Sequence, residues 1–343
     1  MDYMIDILSL YPNEIEEFVI SIGEKSFRAK QIFSWLYKGA DDFSRMSNLS
    51  KTFITKLKQN AEIKSIKIAK KYVSALDGTI KYLFELDDGE KIETVFMRYQ
   101  HGNTICLSTQ AGCKMGCAFC ASTINGYKRN LLPSEMILQI MACEKDSGEK
   151  VSNIVLMGIG EPLDNYENVV RFLRLVNHND GLNIGMRHIS LSTCGLVDKI
   201  DRLAKENFAL TLSVSLHATD DAKRREIMPI ANRWTIEQLL ASCERYIKQT
   251  SRRISFEYAL IAGVNDSFED AHKLGRMLAG MLCHVNLIPV NTVAEKKYKK
   301  SEKNAIEAFT RAVETYKISV TVRRKLGSDI DASCGQLRAS HSN

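Results

Sequence analysis

The spacing of apolar positions changes twice along this chain, and each change marks a different kind of structure. Residues 1 to about 60 read as helical. Phe27-Arg-Ala-Lys-Gln-Ile-Phe-Ser-Trp-Leu-Tyr37 sets Phe27, Ile32, Trp35 and Leu36 near one face, with Gly39 as a stop. Lys51-Thr-Phe-Ile-Thr-Lys-Leu-Lys58 is a second amphipathic helix with its lysines outward. Residues 66 to 97 switch to strand-like runs such as Lys81–Leu86 and Ile92–Met97, punctuated by the turn signals Asp77-Gly78 and Asp88-Gly89. A β-meander is predicted there.

From residue 104 onward, short runs rich in Val, Ile and Leu alternate with longer helical stretches. Strands are predicted at 104–109, 152–157, 188–193, 209–215, 254–260 and 283–289, with a last one near 318–323. Helices are predicted at about 134–147, 165–177, 196–206, 235–249, 266–281 and 302–317, one of them opened by the capping box Thr235-Ile-Glu-Gln238. The strands read as apolar on both faces, as in a parallel sheet covered by helices. Six β/α units predict an α/β fold, an open, partial TIM-like barrel. The expected division is a helical accessory unit at 1–65, the meander at 66–100 and the barrel core at 101–343. No flexible linker separates them, so close packing is expected.

Composition narrows the class. The 343 residues are 45% hydrophobic and 26% charged, ample for one large core plus a smaller domain. No apolar run reaches the ~18 residues of a membrane span. The N-terminus has no basic region ahead of an apolar stretch, so no signal peptide is predicted. Nine cysteines without an export signal point to a reduced, cytoplasmic protein rather than a disulfide framework. The net charge of +6 suits an RNA partner without demanding one. Lysines on the N-terminal helices most often mean a solvated face, because phosphate contact requires them clustered in space.

The candidate chemistry begins at Cys113-Lys-Met-Gly-Cys117-Ala-Phe-Cys120, a CxxxCxxC spacing directly after the first core strand. Thiolates this close in a reducing compartment hold a soft metal or an iron–sulfur cluster. Three ligands are one too few to close a tetrahedral zinc site. The alternatives are a 4Fe-4S cluster with one open iron, or a zinc site that borrows a fourth ligand from elsewhere.

The flanks carry a resemblance. Gln110-Ala-Gly precedes the motif and Gly126-Tyr-Lys-Arg-Asn-Leu131 follows it; Met157-Gly-Ile-Gly-Glu-Pro162 comes later, and the chain closes on Gly327-Ser-Asp-Ile-Asp-Ala-Ser-Cys-Gly-Gln-Leu337. CxxxCxxC in an alternating β/α chain resembles the radical S-adenosylmethionine (SAM) enzymes. The motifs together, in this order from about Phe27 to Arg338, resemble the dual-specificity ribosomal RNA and transfer RNA adenine-C2 methyltransferases.

That resemblance implies a 4Fe-4S cluster on Cys113, Cys117 and Cys120, and two SAM molecules per turnover. It places the SAM amino group on Gly160 and Glu161, with further SAM contacts at Ser192, Ser215, Leu216, His217 and Asn291, all at the carboxyl ends of strands, where β/α folds gather their chemistry. It implies that Cys334 takes a methyl group from one SAM, and that the radical from a second SAM activates it for addition to the adenine. Glu93 then removes the C2 proton, and Cys106 attacks the Cys334 sulfur, releasing the product and leaving a transient Cys106–Cys334 disulfide. The expected partners are 23S ribosomal RNA near the peptidyl transferase region, transfer RNAs at the adenosine beside the anticodon, an electron donor and a disulfide reductant. No membrane partner is expected, and the chain is expected to act as a monomer.

Each residue also has a plainer reading. The glycines suit turns, the serines suit caps, and a Glu on an edge hairpin is usually just solvated. Cys143, Cys243 and Cys283 read as buried small hydrophobes, and Cys194, where the family often has serine, reads as tolerated variation. Two other functions compete: an adenine-C8 methyltransferase that confers antibiotic resistance, and a non-catalytic iron–sulfur or zinc protein that only binds RNA.

Overall fold

The computed structural model describes residues 4–339. Three helices come first: α1 (Pro12–Ser21), α2 (Arg28–Tyr37) and α3 (Lys51–Asn60). In α2 the buried stripe is Ala29, Ile32, Phe33 and Leu36, a run at i, i+3, i+4 and i+7. The expected face is therefore shifted: Phe27 precedes the helix and is exposed, with the Arg28 guanidinium over its ring at 4.9 Å. Two of the outward lysines of α3 are ion-paired, Lys56 with Glu24 at 2.8 Å and Lys58 with Asp42 at 2.9 Å.

The core is one ten-stranded sheet whose strands lie side by side in chain order. β1 (Ile66–Val73), β2 (Ile80–Leu86), β3 (Lys91–Tyr99) and β4 (Gly102–Cys106) form an antiparallel meander. β4 then pairs in parallel with β5 (Asn153–Leu156), and the parallel run continues through β6 (Ile189–Thr193), β7 (Thr211–Ser215), β8 (Ile254–Leu260), β9 (Cys283–Pro289) and β10 (Ser319–Val322). The crossovers carry α4 (Pro133–Ser147), α5 (Tyr166–Val176), α6 (Val197–Lys205), α7 (Asp221–Ile227), α8 (Ile236–Thr250), α9 (Phe268–Leu278) and α10 (Lys303–Glu314). Right-handed crossovers in unbroken order roll such a sheet into a partial barrel with helices outside. The sheet stays open between β1 and β10.

Three expectations need correction. The parallel strands are apolar on one face only. Ile189, Leu191, Leu212, Val214, Ile254 and Phe256 are fully buried, whereas the alternate positions are polar: Ser192 pairs with Ser213, Ser213 with Ser255, and Ser215 with Glu257. The outer face must seal against helices, while the inner face lines a lumen that can hold polar groups and a ligand. Second, α7 was not expected; it is capped by Asp220, whose side chain accepts from the Lys223 N–H at 2.8 Å. Third, Glu93 lies on an interior strand, not an edge, since β3 pairs on both sides. Cys143 and Cys243 are fully buried as expected, and Cys283 is half-buried.

The segment after β10 crosses the open side of the barrel. At one end the Asp329 carboxylate accepts from the Ser74 hydroxyl at 2.7 Å and the Ala75 N–H at 2.9 Å. At the other, Asn291 Nδ2 donates to the Cys334 carbonyl and Gln336 Nε2 to the Thr292 carbonyl, both at 3.0 Å. These bonds carry Cys334 over the carboxyl ends of the strands.

Candidate cofactor and catalytic site

The cysteine loop is clamped at its base by a short antiparallel ribbon, Gln110–Ala111 against Arg129–Asn130. Gly112 adopts φ +74°, and a Cβ there would lie 1.7 Å from the Gly126 carbonyl oxygen, so only glycine lets the loop close. The loop is docked on both flanks. Ala118 N–H donates to the carbonyl of Ile227, the last residue of α7, at 2.9 Å, and Ala121 N–H donates to Gly335 at 2.7 Å. Cys113, Cys117 and Cys120 line one wall of a cavity of about 160 Å³. Burial pushes the Cys113 thiol up to about 12 and raises Cys117 and Cys120 as well. Left alone these thiols stay protonated, and only a metal that competes for sulfur makes them thiolates. Three soft sulfurs on one wall suit an iron–sulfur cluster with an open iron. Among the described residues no three His, Cys, Asp or Glu side chains converge on a single-ion position; a four-iron cluster puts each thiolate on a different iron.

The facing wall comes from strand ends. Gly160 has φ +108°, and a Cβ there would sit 2.6 Å from Gln110 Cβ. Buried Glu161 accepts from the Cys194 N–H at 2.7 Å and the Leu163 N–H at 3.0 Å. Burial raises its carboxyl pKa even against those bonds. Ser192 and Ser215 both donate to Glu257 Oε2, at 2.7 and 3.4 Å. His217 Nδ1 accepts from the Ala259 N–H at 2.9 Å, which places its proton on Nε2; burial and the nearby Arg224 push its pKa down to about 3. His217 is therefore a neutral ring of fixed tautomer. Asn291 and Cys334 complete the lining.

Leu216, Glu93 and Cys106 do not line this cavity. Leu216 is fully buried and offers its carbonyl to Arg224 Nε at 3.1 Å. Cys106 ends β4, and its register partner is Val95, so Glu93, two residues along, faces the same side. The Cys106 thiol is pushed up to about 12, first by burial and then by the neighbouring Cys334. Both cysteines are free thiols. Glu93 is buried, with Lys81 Nζ at 3.3 Å and the Arg338 N–H donating at 2.8 Å. It is far from the solvated Glu of the plain reading. Cys194 is buried; its main chain ties Glu161 to Arg224 through its N–H and carbonyl.

Sequence reasoning missed three residues. Glu257 gathers Ser192 and Ser215, and Arg323 Nη1 approaches its Oε1 at 3.5 Å. A lone carboxylate inside the apolar run Ile254–Leu260 was the available signal. Arg323 also lines a neighbouring cavity together with Cys334. Arg224 left no signal, because it sits in a basic run that reads as solvated.

Comparisons with known proteins agree with this geometry. Residues 107–275 match the radical SAM superfamily, and residues 5–63 match the ribosomal RNA large subunit methyltransferase N-terminal domain. Barrel, cysteine loop and N-terminal unit thus define a radical SAM methyltransferase. A probable dual-specificity RNA methyltransferase RlmN of Clostridium botulinum (strain Eklund 17B / Type B) is 54% identical, over 99% of this chain and 96% of that protein. Its counterpart in Alkaliphilus oremlandii is 54% identical over 98% of both. The crystal structure of a radical SAM methyltransferase from Sphaerobacter thermophilus superposes with a TM-score of 0.93 at 42% identity, covering 98% of this chain and all of that one. The chain belongs to the RlmN family of dual-specificity RNA methyltransferases, whose superfamily uses SAM and a 4Fe-4S cluster.

Proposed function

We propose that the protein methylates C2 of an adenosine in 23S ribosomal RNA and of the adenosine beside the anticodon in transfer RNAs, carrying the methyl group on Cys334. The observation that carries this reading is the position of Cys334, which lines the cluster cavity while standing next to Cys106. Adenine C2 is an electron-poor sp2 carbon that does not attack a methyl sulfonium, and bound cluster and SAM supply the radical chemistry that overcomes this.

The chain's own residues do the rest. Cys113, Cys117 and Cys120 hold the cluster. Gly160 and Glu161 receive the SAM amino group. Glu161 still has lone pairs beyond its two main-chain bonds, as a carboxylate accepts about four. Ser192, Ser215, His217 and Asn291 fix the rest of SAM, with Leu216 holding the main chain between Ser215 and His217 from behind and Glu257 orienting both serine hydroxyls. Cys334 accepts one methyl group and bonds through it to the adenine. Glu93 takes the C2 proton, its carboxyl group positioned by Lys81 Nζ at 3.3 Å. Cys106 gives up its proton and attacks the Cys334 sulfur; the carbon–sulfur bond breaks, the departing carbon keeps the electron pair and takes a proton to become the product methyl group, and a disulfide forms. A cellular reductant resets the pair, and a cellular electron donor serves the cluster.

We further assign residues 1–65 to RNA binding, 66–100 to the linking meander and 101–343 to the catalytic core. The target adenosine enters unpaired or flipped out, since a stacked base hides C2. Among the described residues no helix is long and apolar enough to cross a membrane. The protein acts on RNA in the cytoplasm as a monomer. Mass spectrometry of nucleosides from treated RNA tests the assignment. 2-Methyladenosine is expected; 8-methyladenosine, or no methylated adenosine, contradicts it.

A further inference from the structure

Arg224 is fully buried, yet among the described residues no carboxylate lies within ion-pairing distance of it. Its guanidinium is bracketed by main-chain carbonyls only: Nε donates to Leu216 at 3.1 Å, and Nη2 donates to Cys194 at 2.8 Å and Ser215 at 3.2 Å. Nη1 is buried and has no hydrogen-bond partner among the described residues. Asp221, on the same helix, instead accepts from the Ile236 N–H at 2.8 Å. The other groups close enough to act on the guanidinium include the thiols of Cys194, Cys117 and Cys243. A buried, unpaired cation with an unused N–H is among the costliest arrangements a fold can keep.

The helix that carries Arg224 is fixed against the cysteine loop. Ile227 accepts from the Ala118 N–H at 2.9 Å, and a Cβ on Gly116 would meet Pro229 Cγ at 3.3 Å. The guanidinium is thus registered beside Cys117, behind the wall that faces the cavity. We propose that Arg224 is the fixed countercharge of the iron–sulfur cluster at Cys117: it stabilises the cluster's thiolates, offers an N–H to sulfur, and eases the cluster's reduction. Net charge and hydrogen bonds to sulfur are two of the protein's levers on cluster potential, and a nearby cation favours the reduced form. This rests on the cluster assignment, and it makes Arg224 a positioning residue with an electrostatic role, since it touches no substrate.

The test compares wild type, Arg224→Met and Arg224→Lys as iron-free and anaerobically reconstituted proteins, by thermal unfolding and by redox titration followed through electron paramagnetic resonance. Without iron, Arg224→Met should change the unfolding temperature little, because removal of an unpaired buried charge offsets the three carbonyls that lose their donor. With the cluster, it should lose part of the stabilisation that wild type gains. At a fixed potential its reduced-to-oxidised ratio should fall about tenfold, equivalent to about 59 mV for one electron. Arg224→Lys keeps the charge and should retain most of the wild-type potential. Equal destabilisation of iron-free and loaded Arg224→Met with an unchanged potential would make Arg224 a structural bracket and overturn the proposal. Failure of Arg224→Met to fold without iron counts the same way, unless Arg224→Gln and Arg224→Lys differ in potential as above. If wild type takes up no iron, it is the cluster assignment that falls, visibly and before any variant is measured.

Discussion

The five cysteines proposed to be functional fall into two sets that the chain assembles in different ways. Cys113, Cys117 and Cys120 share one short loop, clamped by a ribbon and a glycine that nothing else could replace. Cys106 and Cys334 lie at opposite ends of the core and meet only because the segment after β10 crosses the barrel's open side. The first set is local: it survives wherever the loop closes. The second is tertiary, and it depends on side-chain hydrogen bonds to the meander and to the β9 end. The two sets should therefore break separately.

The largest effect is expected from Cys117→Ala. It should lose the bound iron and all methyl transfer together, measured as iron per chain and as label transferred from SAM to RNA. Cys334→Ala should abolish transfer as completely while keeping its iron, which separates the two sets in one pair of assays. Next comes Glu257→Gln, which disturbs the carboxylate gathering Ser192, Ser215 and Arg323. With iron unchanged, transfer should fall about 100-fold, the scale of a displaced substrate; a fall below twofold would remove Glu257 from the SAM-binding wall.

Asp329→Ala removes two of the bonds that hold the closing segment to the meander, without touching the cysteine loop. Transfer should fall roughly fivefold, as for one or two lost hydrogen bonds, and proteolysis between β10 and Cys334 should quicken; unchanged cleavage would mean the segment is held elsewhere. The smallest effect on stability at neutral pH is expected from His217, and it shows only as the pH falls. His217 has a folded-state pKa of about 3, and an unfolded histidine titrates near 6.5, so between these values the unfolded chain binds the extra proton. Its contribution to stability is constant above about pH 6.5 and is lost as pH falls toward 3, by at most about 1.4 kcal/mol per unit. His217→Gln should flatten that part of the profile in urea titrations; a slope equal to wild type would show that His217 is not the group responsible.

What was legible in the sequence follows the same division. The β/α alternation could be read because each strand needs an apolar outer face and each helix an apolar stripe. The polar inner face was misread, because the serines of β6 and β7 were absorbed into runs of Val, Ile and Leu. Seven-residue α7 escaped because it is too short to show a period, and Arg224 with it, since Lys223-Arg224-Arg225 looks solvated. The cysteine loop was legible because its three cysteines are close together in the sequence. Glu93 was legible only through resemblance: its burial depends on Lys81 across the meander and on Arg338 from the far end of the chain.

The central claim is that Cys334 becomes joined to RNA and Cys106 frees it. The direct measurement is a denaturing gel of the Cys106→Ala protein purified with its cellular RNA. On the proposed mechanism, addition to the adenine proceeds in that variant and release does not. A nuclease-sensitive band of retarded mobility is predicted for Cys106→Ala, absent from the Cys106→Ala/Cys334→Ala double variant. Free protein in both lanes, with methylation undiminished, would contradict the account and remove both cysteines from the reaction.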